Sequence, residues 1–199
     1  MAYDKPASAE IVNKTAEALK KNGFEVIIAK DGADAKAQAL KLIPHDAEVM
    51  AMTSVTLDTL GIAPELNARP NAVRKKLNDK GVAPREKKRL GAAPGCVIGS
   101  VHAVTQDGSV LIASNTGSQL PAYAYGADKV VWVVGTQKIA KDFDDALKRV
   151  YEHSLPLESE RAKKAYGVPG SFVSKVLVVN KEVAPGRVTI ILVPEVLGY

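Results

Sequence analysis

The run Val130-Val131-Trp132-Val133-Val134, bounded by Asp128 and Gly135, constrains this chain more than any other segment. A strand that is apolar at consecutive positions has no face to offer to water. It must lie inside a sheet covered on both sides, the usual setting of parallel α/β construction. The sequence before it supplies the alternation such a sheet needs. Residues 7–22 read as an amphipathic helix with Val12, Ala16 and Leu19 on one face, stopped by Asn22-Gly23. Residues 24–29 read as a strand, and Asp31 as the N-cap of a helix running to Ile43. Residues 48–52 read as a short buried strand, followed by Thr53-Ser54 and a helical stretch to Gly61. This rhythm predicts an α/β fold.

Residues 62–95 break the rhythm. They hold Pro64, Pro70, Pro84 and Pro94 and the clusters Arg74-Lys75-Lys76 and Arg85-Glu86-Lys87-Lys88-Arg89. They read as a charged, Pro-rich helical insertion, either a solvated face or an electropositive lid over an anionic ligand. Residues 97–105 read as one strand, joined by the turn Gln106-Asp107-Gly108-Ser109 to another over 110–113. A polar loop, 114–119, leads into a helix over 120–126, and Asp142 starts a helix reaching Val150. Residues 175–179 and 188–193 read as paired strands joined through Pro185-Gly186. The whole chain, 1–199, reads as a single domain.

Composition excludes several classes. A chain of 199 residues with 46% hydrophobic side chains can bury a core without disulfide or metal staples. The single cysteine, Cys96, forms no internal disulfide and cannot by itself hold an iron–sulfur cluster, which needs about four thiolates. It has no flanking cation to make it a nucleophile. His45, His102 and His153 are far apart with no ligand spacing, so neither a metal nor a cofactor is expected. The start of the chain is polar, with no apolar stretch of signal-peptide type, and no apolar run approaches the ~20 residues needed to cross a bilayer. The expectation is a soluble cytoplasmic protein, with no membrane partner. A net charge of +5 favours a small anionic metabolite as ligand. No aromatic residues interleave the basic clusters, so no nucleic-acid partner is expected.

Four groups of residues could carry chemistry. Thr53 and Ser54 follow a strand and open a helix, where hydroxyls and free N–H groups hold anions, although both residues are also ordinary N-caps. Asn115, Thr116, Gly117, Ser118 and Gln119 occupy a second strand–loop–helix position, with Gly117 allowing close backbone approach. Open sheets bind ligands at strand carboxyl ends, where both loops belong. Neither a Walker loop nor a G-x-G-x-x-G run is present. His102, with Gln106 and Asp107 beyond it, offers acid–base chemistry, with His102 or Asp107 moving a proton. In a single strand over 97–105 it would share a face with Ile98, Ser100 and Val104, as a structural histidine also would. Lys138 follows the Gly135-Thr136-Gln137 turn and could pair with a phosphate or carboxylate, or simply lie on the surface. Glu158 and Arg161 read as a helix-surface pair.

Several of these segments resemble the lactate-utilisation (LUD) domain family. Ser54-Val55-Thr56-Leu57-Asp58-Thr59-Leu60-Gly61 is similar to one of its stretches, and Val104-Thr105-Gln106-Asp107-Gly108-Ser109-Val110 to its strand–turn–strand core. Gly117-Ser118-Gln119-Leu120-Pro121 and Val133-Val134-Gly135-Thr136-Gln137-Lys138-Ile139 carry the resemblance furthest. Leu155-Pro156-Leu157-Glu158-Ser159-Glu160-Arg161-Ala162 and Val193-Pro194-Glu195-Val196-Leu197-Gly198 look like the closing motifs of one branch. Many members have an acidic residue and a threonine where this chain has Gln106-Asp107.

The resemblance implies a Rossmann-like layered parallel or mixed sheet flanked by helices, of the isomerase/CoA-transferase type. It implies an accessory or subunit in the oxidation of lactate or a related hydroxy acid, working with iron–sulfur redox partners, in the small cluster-free branch. The residues alone equally allow a stand-alone enzyme or sensor for a phosphorylated or carboxylated metabolite of the sugar-phosphate, CoA-thioester or folate type. The valine-rich strands near the C-terminus leave pairing with a second copy, a homo-oligomer, open.

Overall fold

The computed structural model describes residues 3–199, so the first two residues of the 1–199 domain lie outside the described residues. Its centre is a five-stranded parallel sheet in the order β1-β9-β6-β3-β2. The strands are β1 (Glu25–Ile28), β2 (Val49–Ala51), β3 (Cys96–Gly99), β6 (Lys129–Gly135) and β9 (Val188–Val193). β6 takes the middle position, as its sequence requires. Val130, Trp132 and Val134 point to one face and Val131 and Val133 to the other, and all five are buried. Each such side chain contributes about 1.5–3 kcal/mol by leaving water.

Helices cover both faces. α2 (Gly32–Leu42), α3 (Val55–Thr59) and α4 (Ile62–Ala68) pack Ala35, Ala39, Leu57, Ile62 and Leu66 against Val131, Val133 and Ile191. On the opposite face, α1 (Ala9–Lys21) brings Val12, Ala16 and Leu19 against Val130, Trp132 and Ile190. The same core includes Val104, Val110 and Ile112 from a second, four-stranded mixed sheet in the order β7-β4-β5-β8. Its strands are β4 (Ala103–Thr105), β5 (Val110–Ser114), β7 (Ile139–Ala140) and β8 (Lys175–Val179). α7 (Phe143–Arg149) closes its far side through Ala146. A π-helical turn at Val150–Ser154 then leads into α8 (Leu155–Tyr166). Among the described residues no helix is long and apolar enough to cross a membrane.

Local signals set most boundaries. Ser8, Asp31, Ser54 and Asp142 accept hydrogen bonds from backbone N–H groups at the starts of α1, α2, α3 and α7. The β4–β5 turn uses Gly108 at φ 88°.

Three readings need correction. Residues 97–105 are not one strand: the chain leaves the main sheet after Gly99 and re-enters structure as β4 of the second sheet. The face assigned to Ile98, Ser100, His102 and Val104 therefore does not exist, and Ile98 and Val104 lie in different cores. Nor do residues 175–179 and 188–193 pair. β8 runs antiparallel to β5 at an edge, while β9 inserts between β1 and β6. Burial matches the split: all six residues of β9, in the interior of the parallel sheet, are buried, whereas β8 at an edge is half exposed. Finally, residues 62–95 form three helices, but α4 belongs to the core. Only α5 (Val73–Asn78) and α6 (Pro84–Ala92) carry the basic clusters.

Candidate functional site

The carboxyl edge of the parallel sheet opens into a cleft of about 1000 Å³, where open α/β sheets place ligands. Its walls come from the ends of β2, β3 and β6, the loop after β5, helices α3, α5, α6 and α8, and the returning C-terminal segment. Thr53, Ser54, His102, Asn115, Thr116, Gly117, Ser118, Gln119 and Lys138 all line it. Gln106 and Asp107 do not. They sit at the tip of the β4–β5 hairpin, where the Asp107 side chain accepts from the Thr105 hydroxyl and its carbonyl accepts from Asn22 Nδ2 at 3.0 Å. The hairpin tip is thus a docking point for α1, and the structure does not bring Asp107 to His102's side of the cleft.

Lys138 forms the floor. The strand β6 ends at Gly135, a short 3₁₀ turn (Thr136–Lys138) follows, and the turn buries the lysine rather than exposing it. Its side chain is 2% exposed. Nζ donates to Ser100 Oγ at 3.1 Å and to Thr56 Oγ1 at 3.3 Å. Thr56 donates in turn to the Leu197 carbonyl at 3.0 Å, which also accepts from Gln137 Nε2 at 3.0 Å. No carboxylate pairs with Lys138 among the described residues. Burial, and then the nearby Arg149 guanidinium, push its ammonium down to about 7.

Arg149, fully buried, donates to the His102 carbonyl and, at 2.9 Å, to Ser154 Oγ. It too lacks an ion-pair partner among the described residues. The floor thus concentrates positive charge. His102 feels it: burial, then Lys138 and Arg149, hold its imidazole down to about 3. His102 Nδ1 accepts from the Ala113 N–H at 3.1 Å, so the neutral ring carries its proton on Nε2. At neutral pH it is a fixed donor.

Two further walls are polar. Glu158 on α8 receives Arg161 through paired 2.7 Å bonds and the Tyr199 hydroxyl at 2.7 Å. Burial opposes its ionisation, but these donors outweigh that and hold the carboxyl below its usual range. The loop after β5 is organised by Ser114, whose hydroxyl accepts from Gly117 N at 2.8 Å and donates to Gln119 Oε1 at 2.9 Å. Gly117 has φ 84°, and a Cβ there would lie 2.7 Å from Lys175 Cδ. Asn115 accepts from Ser174 Oγ at 3.2 Å, and Thr116 and Ser118 share a 3.2 Å bond on the exposed rim. Arg74 of α5 is anchored by a 2.7 Å bond to the Ala51 carbonyl, and Lys87 and Lys88 of α6 stand beside it on the cleft wall.

Sequence reasoning did not single out Thr56, although it lies in the Ser54–Gly61 stretch, and missed Ser100 and Tyr199, which line the cleft, and Arg149, which lies behind the lining residues His102 and Ser154. The last three come to the site through tertiary folding. Glu158 and Arg161 carried a visible i, i+3 signal and do pair, but inside the cleft rather than on an open helix surface. Cys96 lies in β3 within the core, and burial raises its thiol, in keeping with an inert residue. Among the described residues no cluster of His, Cys, Asp and Glu could hold a metal ion.

Compared with the curated proteins, the chain matches none. Its fold is similar to the crystal structure of a DUF162 family protein from Deinococcus radiodurans. The TM-score is 0.59 at 14% identity, covering 94% of this chain and 99% of that chain. The family model for the LUD domain matches residues 12–193, well over half of the sequence and every strand of both sheets. The chain belongs to the LUD domain family.

Proposed function

We propose that the cleft binds a small carboxylated or phosphorylated metabolite, with Lys138 as the group that meets its negative charge. The observation that carries this reading is a buried amine with no carboxylate partner among the described residues, lying at the floor of a large cleft. A buried charge without a counter-ion is costly, and a bound anion removes that cost. Lys138 spends two donors on Thr56 and Ser100, which leaves the third for a ligand. Thr53, Ser54, Thr116 and Ser118 add hydroxyls on the walls, and Arg74 and Lys87 add positive charge. Anion binding raises the Lys138 pKa, so binding takes up a proton and weakens as pH rises above about 7.

A thermal-shift panel with lactate, 2-oxo acids, sugar phosphates, CoA thioesters, folates and inorganic phosphate tests this. A ligand at about 100 times its dissociation constant stabilises the fold by about 2.7 kcal/mol. Lys138→Met is expected to abolish the selective shift while remaining folded. Silence across the panel, or equal shifts in the variant, would remove the reading.

Family membership favours a second reading, a role in lactate or hydroxy-acid oxidation beside iron–sulfur redox proteins. Loss of growth on lactate after deletion, together with co-purification of such partners, supports it. Normal growth on lactate rejects it.

A further inference from the structure

We propose that Lys138 is a nucleophilic amine that condenses with the carbonyl carbon of a 2-oxo acid or a similar small keto anion, forming an imine at the floor of the cleft. This rests on the cleft's binding of a small anion and goes beyond it: the carboxylate or phosphate is met by Arg74, Lys87 and the wall hydroxyls, which leaves the Lys138 nitrogen to face the carbonyl carbon as a neutral amine.

The geometry points to it in three ways. First, the nitrogen is positioned. A neutral lysine amine has two N–H bonds and one lone pair. Thr56 donates its own proton to the Leu197 carbonyl, so its oxygen is free to accept from Lys138, and Ser100 offers a second acceptor. With both N–H bonds directed at the hydroxyls, the lone pair is left for an electrophile. Second, nothing fixes the amine in its charged form. The charged group acting on it is the Arg149 guanidinium of α7, and the His102 ring, neutral at pH 7, and His153 also lie within reach of its charge, while Glu158 of α8 acts on His102. Glu158 is already engaged by Arg161 and Tyr199. Arg149 makes the protonated state less favourable, as a second cation does in other amine nucleophiles. Third, Lys138 is 2% exposed yet lines the cleft, so a substrate reaches the amine from the cleft alone.

The step balances without an oxidant or reductant. The lone pair attacks the carbonyl carbon and the C=O π pair moves to oxygen. The two N–H hydrogens leave with that oxygen as one water molecule, each relayed in turn by the Ser100 hydroxyl, while Thr56 holds the nitrogen in place. The C=N bond replaces C=O, and the imine nitrogen takes one proton from solvent. Burial and the Arg149 cation shift Lys138 toward the neutral amine, whereas a lysine at its ordinary value is neutral at pH 7 in only roughly one copy in three thousand.

The full chain is incubated with pyruvate, and separately with dihydroxyacetone phosphate, then treated with borohydride, digested and mapped by mass spectrometry. The expected result is a reduced adduct on the peptide carrying Lys138, at least about tenfold above any surface lysine at pH 7. Lys138→Arg keeps the positive charge, cannot form an imine, and is expected to lose the adduct. Its melting curve establishes that it folds. Thermal shifts with the same two compounds, without borohydride, separate the two readings. Stabilisation with no adduct at Lys138, or with adducts spread evenly over surface lysines, overturns the imine and leaves anion binding standing. No stabilisation and no adduct overturns both.

Discussion

Lys138 and His102 show how a residue's surroundings can outweigh its identity. Both are weakened as bases by burial; Arg149 adds to this at both, and Lys138 adds to it at His102. A buried ammonium without a carboxylate partner costs stability, so Lys138→Met is expected to be more stable than the wild type by on the order of 1–4 kcal/mol at neutral pH, read as a higher melting temperature. A lower melting temperature would show that the amine is already compensated. His102 makes a second prediction. The unfolded chain protonates this ring near 6.5, the folded chain only near 3. The unfolded state therefore binds more protons across that window, and stability falls as pH drops from about 6.5 toward 3. In His102→Gln the slope of melting temperature against pH is expected to flatten there. An undiminished slope would place the acid sensitivity elsewhere. Neither surrounding was legible in the sequence: Lys138 looks like a surface lysine until the 3₁₀ turn after β6 folds it inward.

Elements were more legible than residues, because their signals are local. The caps Asp31 and Asp142 and the stop at Gly23 all act within one turn of the helix they bound. Strand partnership was not legible, since β8 and β9 share valine-rich composition and differ only in what covers them. The break after Gly99 was equally hidden, because Val97–Thr105 keeps strand-like residues across the change of sheet. A Cβ at Gly99 would lie 1.8 Å from the Tyr123 hydroxyl, so the constraint comes from a residue far along the chain. The loop after β5 carries an element-scale prediction. Gly117→Ala places an L side chain at φ 84° and against Lys175, and is expected to cost about 1–2 kcal/mol and weaken anion binding together. Unchanged affinity in a folded Gly117→Ala protein would remove this loop from the site.

At the scale of the molecule, the core beneath the cleft is shared by both sheets, with Val104 and Ile112 of one packed in the same cluster as Val130 and Trp132 of the other. The two sheets are therefore expected to unfold together. Trp132, the chain's single tryptophan, stands T-shaped to Tyr123 with ring centroids 5.5 Å apart and reports on that shared core. Its fluorescence and the far-ultraviolet circular dichroism should give one superimposable transition, and separate midpoints would show two units. The layered α/β plan was legible because the fully apolar β6 permits few alternatives. The second sheet's partnerships were not, because its strands come from distant parts of the chain.

The order of the strands has a consequence for biosynthesis. β1 is hydrogen-bonded in the sheet only to β9, and the Lys138 floor leans on Leu197. During translation β1 emerges well before its partner and must wait, edge unpaired, until residues 188–193 have left the ribosome. Until then the nascent chain carries an open aliphatic slot between β1 and β6. The Leu197 carbonyl that receives Thr56 and Gln137 follows β9 directly, so the cleft floor is completed only after the sheet closes.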